Sequence, residues 1–297
     1  MVSKTKTGIE PFDREFGGTY QGRVTLLSGP SKTGKTAIAL QFINAGLELG
    51  ENVLMLSAMP SRDLAILAES LDMSVDRHVE SGELTILEYN DFVPGRDAEE
   101  NIMLPPEGFS QLQAVIENNG INRLAIDTVV PWIAFPGNRH MAEHIFSFVR
   151  AFERLGATTM FTAPKPASAA AQRMMKYIFD NVPVVIHLSK PIDSPELNWR
   201  TAKYLGENNA DCSFKYKVEK GVGVVEVSAN PPVSGSAGDA PAGAPHKKLG
   251  NPFSAGVYSD GPGPQSAPSG GGGGRGGSGS GGKSAFSNVV WKDGAQS

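Results

Sequence analysis

Apolar and polar residues alternate in blocks along the first 229 residues, and the period inside the blocks changes regularly. Short apolar runs rich in β-branched residues, such as "RVTLLS" and "NVLMLS", are separated by longer segments in which apolar residues recur every three or four positions. The first long segment, "KTAIALQFINAGLEL", places Ile38, Phe42, Ala45 and Leu49 on one helical stripe, and Gly50 follows as a stop signal. The pattern therefore predicts strand, helix and strand in succession.

The same alternation continues towards the end of this region. It predicts strands at "LTILEY", "INRLAID" and "ATTMFTA", and helices at "RDLAILAESL" (capped by Ser61), "FSQLQAVIENNG", "HMAEHIFSFVRAFERLG" and residues 169–179. Three late strands without intervening helices are predicted near "VPVVIHL", "NWRTAKYL" and "VGVVEV". Repeated strand–helix units favour parallel strands, because each helix returns the chain to the same edge of the sheet. We therefore expect an α/β fold: a largely parallel twisted sheet flanked by helices, with an antiparallel C-terminal extension.

Composition changes abruptly near residue 230. The rest of the chain is dominated by Gly, Pro, Ser and Ala, as in "PPVSGSAGDAPAGAP" and "GGGGGRGGSGSGG". Such a segment cannot bury enough apolar surface to offset the entropy lost on ordering. We predict one folded domain over residues 1–229 and a disordered tail over residues 230–297.

Charge and cysteine content narrow the range of functions. The formal net charge of -4 disfavours binding to nucleic acid by bulk electrostatic attraction. Cys212 is the single cysteine, which excludes an intrachain disulfide framework and a multi-cysteine zinc site. No apolar run is long enough to span a bilayer, and the N-terminus lacks the apolar core of a secretory signal. These features predict a cytoplasmic protein that does not use a membrane.

One motif carries a specific chemistry. Gly29, Gly34, Lys35 and Thr36 satisfy the phosphate-loop pattern G-x-x-x-x-G-K-[ST], with an apolar strand before it and an amphipathic helix after it. The glycines allow backbone N–H groups to surround an anion, the helix directs its positive end at the phosphates, and the lysine neutralises their charge. We predict a nucleotide-binding loop made of Gly29, Pro30, Ser31, Lys32, Thr33, Gly34, Lys35, Thr36 and Ala37.

A second element of the site is predicted at the end of "RLAID". Asp127 follows a buried strand, where a carboxylate would lie beside the phosphate loop. Oxygen ligands suit Mg²⁺, so we predict that the Thr36 hydroxyl and the Asp127 carboxylate hold the ion. A cap or turn role is the alternative for an aspartate in this position.

These motifs resemble the KaiC branch of the RecA-like P-loop ATPases. The resemblance is carried by "TGIEPFDREFGGTYQGRVTLLSGPSKTGKTAIALQFINAG", "LAIDTVV", "ERLGATTMFTA" and "IFDNVPVVIHL", and it covers about residues 7–227 as one domain. It implies a RecA-type core, ATP and Mg²⁺ as ligands, and nucleotide bound between the subunits of a homo-oligomeric ring, often a hexamer.

Two departures from the family concern hydrolysis. In the family, the strand after the phosphate-loop helix ends in two acidic residues that polarise the attacking water, and the matching positions here are Ser57 and Ala58. Neither can act as a carboxylate base, although the serine could orient a water. Asp63 lies a few residues further on, where the positive end of a helix favours an acidic residue.

The second departure lies in the strand that faces the neighbouring subunit. The family carries a Lys-x-Arg pair there, and the aligned positions are Gly206 and Asn208. Arg200 and Lys203 remain as substitutes or as solvated surface charges. The absence of a cation that acts across the subunit interface removes stabilisation of charge in the transition state.

A third difference concerns the phosphate loop itself. Lys32 stands in place of a frequent glycine and adds positive charge beside the phosphates.

Binding a nucleotide and cleaving it are therefore separated in this sequence. The binding groups are present, and two parts of the cleavage machinery are absent. We favour an ATP-binding regulatory or scaffold protein with weak or no hydrolysis. An active ATPase or autokinase in signal transduction, with Asp63 or another carboxylate as the base, is the first alternative. A RecA-like DNA-binding protein is the second, and the acidic charge balance disfavours it.

The tail contains a repeated motif. "FSAGVYSDG" (residues 253–261) and "FSNVVWKDG" (residues 286–294) share the pattern F-S-x-x-V-[YW]-x-D-G and begin 33 residues apart. Exposed aromatic residues are a liability in disordered chain unless something binds them. We predict that the motifs bind an unidentified protein partner, or a groove on a neighbouring copy, through Phe253, Val257, Tyr258, Phe286, Val290 and Trp291.

Overall fold

The structure is a computed structural model that describes residues 2–88, 106–133, 140–192, 194–207 and 212–227. The predicted tail, its two repeated motifs and Asn208 lie outside these residues. Among the described helices, none is long and apolar enough to cross a membrane.

Strands and helices largely alternate over the described residues, as the apolar pattern predicts, with additional short elements that were not predicted. The strands are β1 (Lys4–Thr5), β2 (Thr19–Tyr20), β3 (Val24–Gly29), β4 (Val53–Ser57), β5 (Leu84–Glu88), β6 (Arg123–Asp127), β7 (Thr158–Pro164), β8 (Val184–Ser189), β9 (Leu197–Tyr204), β10 (Ser213–Glu219) and β11 (Gly223–Glu226). The helices are α1 (Glu10–Phe16), α2 (Lys35–Glu48), α3 (Ser61–Glu69), α4 (Val75–Glu80), α5 (Pro106–Asn118), α6 (Val130–Ile133), α7 (Met141–Arg154) and α8 (Ala169–Asn181).

Nine of these strands form one sheet in the order β11-β10-β9-β8-β3-β7-β6-β4-β5. The six strands from β8 to β5 run parallel, and β9, β10 and β11 continue the sheet in antiparallel fashion. The predicted parallel sheet with an antiparallel extension is therefore confirmed. The phosphate-loop strand, β3, lies between β8 and β7 in the middle of the sheet. The helices that follow β3 and β7 pack on opposite faces of the sheet, so the carboxyl end of β3 borders a crevice of the kind that binds ligands in such folds.

The antiparallel extension contains a strand that the sequence reading missed. Within the part of the chain that the structure describes, four late strands are present instead of three, and the additional one is β10, "SFKYKVE". Lys215 and Lys217 alternate with Phe214, Tyr216 and Val218, and they expose one face of the strand. This half-polar alternation is typical of an antiparallel strand covered on one side, and it is weaker than the continuous apolar runs of the buried parallel strands.

Both faces of the sheet are covered by helices, which divides the core into two layers. On one face, here called the α2 side, residues of α2 and α3 pack against Leu27, Val53 and Met55. On the other face α7 and α8 pack against Leu26, Leu54 and neighbouring residues. Residues that alternate along each strand therefore alternate between the two layers, which assigns a face to every side chain at the carboxyl end.

Candidate nucleotide-binding site

The predicted phosphate loop connects the carboxyl end of β3 to the first turn of α2. β3 ends at Gly29 and α2 begins at Lys35. The N-cap residue, Gly34, has a left-handed φ of 76° and contributes no side-chain hydrogen bond to the first turn. Amides that lack an intrahelical partner at a helix start are an anion-binding feature, since they combine free donors with the positive end of the helix dipole.

Lys32 adopts a left-handed backbone conformation that favours glycine. Its φ is 63°, one of two positive φ values among the described non-glycine residues. An L-residue in this region costs about 1–2 kcal/mol relative to a right-handed conformation. A glycine, which the resemblance implies at this position, would adopt the same conformation without that cost. The exposed lysine places a positive charge at the rim of the loop at that cost.

The loop rests on side chains from β8 and β10. A Cβ atom added to Gly29 would lie 2.8 Å from Cβ of Leu188, and one added to Gly34 would lie 2.8 Å from a methyl group of Val218. Larger residues therefore do not fit at Gly29 without movement of β8, or at Gly34 without movement of the Val218 side chain on β10. The buried Tyr216 hydroxyl donates a 2.7 Å hydrogen bond to the Thr33 carbonyl. Sequence reasoning missed this tyrosine because β10 was not predicted.

The Lys35 side chain folds back over the loop and is held there by backbone carbonyl groups of the loop. Its Nζ donates to the carbonyl oxygens of Gly29 at 2.9 Å and Pro30 at 2.8 Å. Burial lowers the pKa of Lys35, and the negative charge of Asp127 acts in the opposite direction. The ammonium group is therefore fixed at the mouth of the loop by groups that a phosphate oxygen could replace.

Thr36 and Asp127 are brought together as the sequence predicts. The Thr36 hydroxyl donates a 2.7 Å hydrogen bond to Oδ2 of Asp127, and Thr162 on β7 donates to the other carboxylate oxygen. A hydroxyl and a fixed carboxylate form the hard oxygen donor set that Mg²⁺ prefers. These residues therefore fit a magnesium ion, which would neutralise phosphate charge when bound.

Ser57 lies directly beside Asp127, on the neighbouring strand. The two residues pair in the register of β4 and β6, and Ser57 is buried. Its hydroxyl accepts a 3.1 Å hydrogen bond from the Met59 amide. The exposed Ala58 donates its amide to the Asp127 carbonyl at 3.1 Å. The positions that match the family's acidic pair thus present one buried hydroxyl and one methyl group.

Asp63 is exposed in the first turn of α3, where its charge is placed near the positive end of the helix. The prediction that Ser61 caps this helix is wrong. Pro60 is the N-cap residue, Ser61 is the first helical residue, and no side chain of the N-cap residue caps the helix. The Ser61 amide instead donates a 2.6 Å hydrogen bond to Oε1 of Glu88, at the end of β5.

The candidate substitutes for the cation that acts across a subunit interface differ in position. Lys203 donates through Nζ to the carbonyl oxygens of Phe179 at 2.8 Å and Asp180 at 3.2 Å, near the end of α8. Burial lowers the pKa of Lys203. Arg200 lies on β9 with its side chain exposed, in register with His187 of β8. Lys203 therefore binds carbonyl groups at the carboxyl end of α8 in its own chain, and the exposed Arg200 is the more accessible of the two cations.

A polar pair made of the buried Ser28 and the partly buried His187 lies beside the start of the loop. His187 Nδ1 and the Ser28 hydroxyl are 2.6 Å apart across the β3–β8 register, and burial, with a smaller contribution from Arg200, lowers the pKa of the imidazole. The two residues are distant in sequence and belong to no motif. Only the pairing of β3 with β8 brings them together.

Comparisons with known proteins identify the family to which the chain is related. A family model described as "ATPase: KaiC" matches residues 5–204, more than half of the chain. The circadian clock oscillator protein KaiC of a Nostoc species is 28% identical over 188 residues, which cover 61% of this chain and 36% of that protein. The protein of the same name from Thermostichus vulcanus is 24% identical over 238 residues, which cover 77% of this chain and 45% of that protein.

A solved structure supports the fold independently. The crystal structure of a KaiC-like protein from the hyperthermophilic archaeon Pyrococcus horikoshii matches with a TM-score of 0.62 at 22% identity, covering 77% of this chain and all of that one. The chain spans less than half the length of the two curated relatives above. Because the family model covers most of the described residues, including the phosphate loop and Asp127, the chain belongs to the KaiC family of ATPases.

Proposed function

We propose that this protein binds ATP with Mg²⁺ and hydrolyses it slowly or not at all, so that the nucleotide acts as a structural or signalling ligand. The observation that carries the proposal is the pairing of Asp127 with Ser57 at the carboxyl end of the sheet. A carboxylate suited to a metal ion stands beside a hydroxyl group in the place where a catalytic base is expected.

The binding half of the proposal is supported by the loop itself. The loop has glycine at positions 29 and 34, where side chains of β8 and β10 leave no space for a Cβ atom. Lys35 is fixed over the loop, and Thr36 contacts Asp127. These groups would bind the phosphates and the metal ion without further rearrangement of the sheet, which favours affinity.

The groups that cleavage requires are incomplete, which supports slow turnover. Ser57 can orient a water molecule but cannot accept its proton at neutral pH, and Ala58 can do neither. Lys203 is engaged by carbonyl groups of its own chain, so it is poorly placed to stabilise charge on a neighbour's nucleotide. General base catalysis and an added cation contribute several orders of magnitude to such reactions. Slow turnover follows if both are absent.

We further propose that nucleotide promotes a homo-oligomeric ring of this cytoplasmic protein, and that the tail recruits a protein partner. The relatives are named for a circadian clock, but this chain matches less than half of their length, so their activity is not transferred as a whole. The regulatory role rests on the separation of binding from cleavage, and the partner role rests on the repeated tail motifs.

The test measures Mg·ATP binding and phosphate release in one sample, with Lys35→Ala as the control. We expect binding that the variant loses, and release well below that of ordinary RecA-like ATPases. Sedimentation with and without Mg·ATP tests the ring. Absence of binding in the wild-type protein would refute the proposal, and ordinary turnover would favour the active ATPase or autokinase instead.

A further inference from the structure

A carboxylate outside the phosphate-loop and magnesium motifs lies in the same row as the site residues. Strand β4 lies between β6 and β5, and the register places Ser57 opposite Asp127 on one side and opposite Glu88 on the other. The three residues each end their strand. They therefore form a row Asp127–Ser57–Glu88 across the carboxyl edge of three parallel strands.

The row faces the helix that begins at the phosphate loop. Along β4 and β5, residues two positions apart share a face, and Met55 and Ile86, which precede Ser57 and Glu88 by two, belong to the core layer of the α2 side. Asp127 is on the same face, because it contacts Thr36 of α2. The Glu88 side chain thus leaves the sheet on the side where the nucleotide is expected.

The loop that has lost its acidic pair is attached to this row at both ends. At its start, the Ala58 amide donates to the Asp127 carbonyl at 3.1 Å. At its end, the Ser61 amide donates to Oε1 of Glu88 at 2.6 Å. Glu88 is half-buried, and its carboxylate lies against the same short loop in which the family carries carboxylates.

We propose that Glu88 is the base for the residual ATP hydrolysis of this protein, with Ser57 as the residue that orients the water. This inference rests on the proposed function, since it concerns the slow turnover of the same site. The water oxygen forms a bond to the γ-phosphorus, and the bond from that phosphorus to the β–γ bridging oxygen breaks. ADP and phosphate are the products, and the proton of the water passes to the Glu88 carboxylate and then to solvent.

A purely structural role for Glu88 makes a different prediction. The carboxylate satisfies the first amide of α3, which the N-cap residue Pro60 leaves without a side-chain partner. Glutamine retains an oxygen that can accept this hydrogen bond but cannot accept a proton from water. Glu88→Gln therefore separates catalysis from capping, whereas Glu88→Ala removes both.

The experiment measures phosphate release at saturating Mg·ATP, Mg·ATP affinity by calorimetry, and the Tm of the nucleotide-free protein. For Glu88→Gln we expect a loss of at least about tenfold in release, as for removal of a general base, with affinity and Tm close to wild type. For Glu88→Ala we expect the same loss of release and a lower Tm. Glu69→Gln, which changes an exposed carboxylate at the other end of α3, is the matched control and should retain wild-type release.

The outcomes separate this inference from the proposed function. Wild-type release in Glu88→Gln with intact binding overturns the inference alone. So does wild-type release that does not exceed the Lys35→Ala background, because no residual hydrolysis then exists to assign. Ordinary turnover that Glu88→Gln abolishes supports the inference and overturns the proposal of slow hydrolysis. If the glutamine variant does not fold, Glu88→Asp, which retracts the carboxylate by one methylene, takes its place with the same readouts.

Discussion

Tyr216 connects the antiparallel extension to the phosphate loop, and Tyr216→Phe tests whether that connection matters for binding. The phenol is fully buried, and burial raises its pKa far above the ordinary value, so it remains protonated and donates to the Thr33 carbonyl at 2.7 Å. The substitution removes this donor and leaves the ring in place. A buried carbonyl without its partner costs about 1–3 kcal/mol.

The expected effect has a stability component and a binding component. A loss of about 1–2 kcal/mol corresponds to a fall in Tm of roughly 2–8 °C for a domain of this size. Because Thr33 lies within the loop, part of the cost also falls on the conformation that binds phosphate. We expect Mg·ATP affinity to fall by up to about tenfold, which corresponds to about 1.4 kcal/mol.

Tyr204→Phe is the matched control. Tyr204 is also buried, and its hydroxyl also donates to a backbone carbonyl, that of Gly18 at 2.9 Å, away from the phosphate loop. Both variants should therefore lose a similar amount of stability in thermal unfolding without nucleotide. Only Tyr216→Phe should weaken Mg·ATP binding in calorimetry. Equal affinity in both variants would show that β10 stabilises the fold without shaping the loop, and the reasoning would be wrong.

Three further predictions concern the loop, the metal site and pH. Gly34→Ala should abolish Mg·ATP binding in calorimetry, because a methyl group at a left-handed φ would lie 2.8 Å from a valine methyl on β10. The control is Gly50→Ala, where φ is also positive and the surrounding space is open. It should bind Mg·ATP normally and lose only about 1 kcal/mol of stability in thermal unfolding. Asp127→Asn should remove the dependence of ATP affinity on Mg²⁺, a loss of roughly tenfold or more, and unchanged magnesium dependence would contradict the metal assignment. Burial lowers the pKa of His187 below the ordinary histidine value of 6.5, so the unfolded chain takes up the proton first as pH falls. The stability of the fold should therefore decrease from about pH 6.5 down to the pKa of His187 in the folded state. His187→Gln should flatten this part of the curve of Tm against pH, and identical slopes in the two proteins would show that His187 does not cause the decrease.

Features that depend on neighbouring residues in the sequence were predictable. The phosphate loop needs glycines, a lysine and a threonine at fixed spacing, because one turn and one helix start must satisfy one anion. The parallel strands are continuous apolar runs, since both of their faces are buried. Asp127 was found because a carboxylate directly after such a run lies at the edge where parallel strands end.

Features that depend on strand register could not be predicted in the same way. Tyr216 reaches the loop through a strand whose alternating lysines resemble a solvated surface, and its partner is a backbone carbonyl 183 residues away in the chain. Glu88 stands beside Ser57 only because β5 pairs with β4. Ser61 looked like a helix cap, but the carboxylate of another strand performs that role.

The row Asp127–Ser57–Glu88 also gives a physical reason why binding would be retained if cleavage is slow, as we propose. Binding needs donors and a metal ligand that stabilise the ground state, and these come from one continuous loop and one adjacent strand. Cleavage requires interactions that are stronger in the transition state than in the bound substrate. Moving a carboxylate one strand further away displaces it by about 4.8 Å, whereas proton transfer needs contacts of about 2.6–3.2 Å. In the mechanism proposed above, a base at Glu88 must therefore act on a water that Ser57 orients at the carboxyl edge of the sheet. This additional ordering would lower the rate of cleavage without weakening phosphate binding.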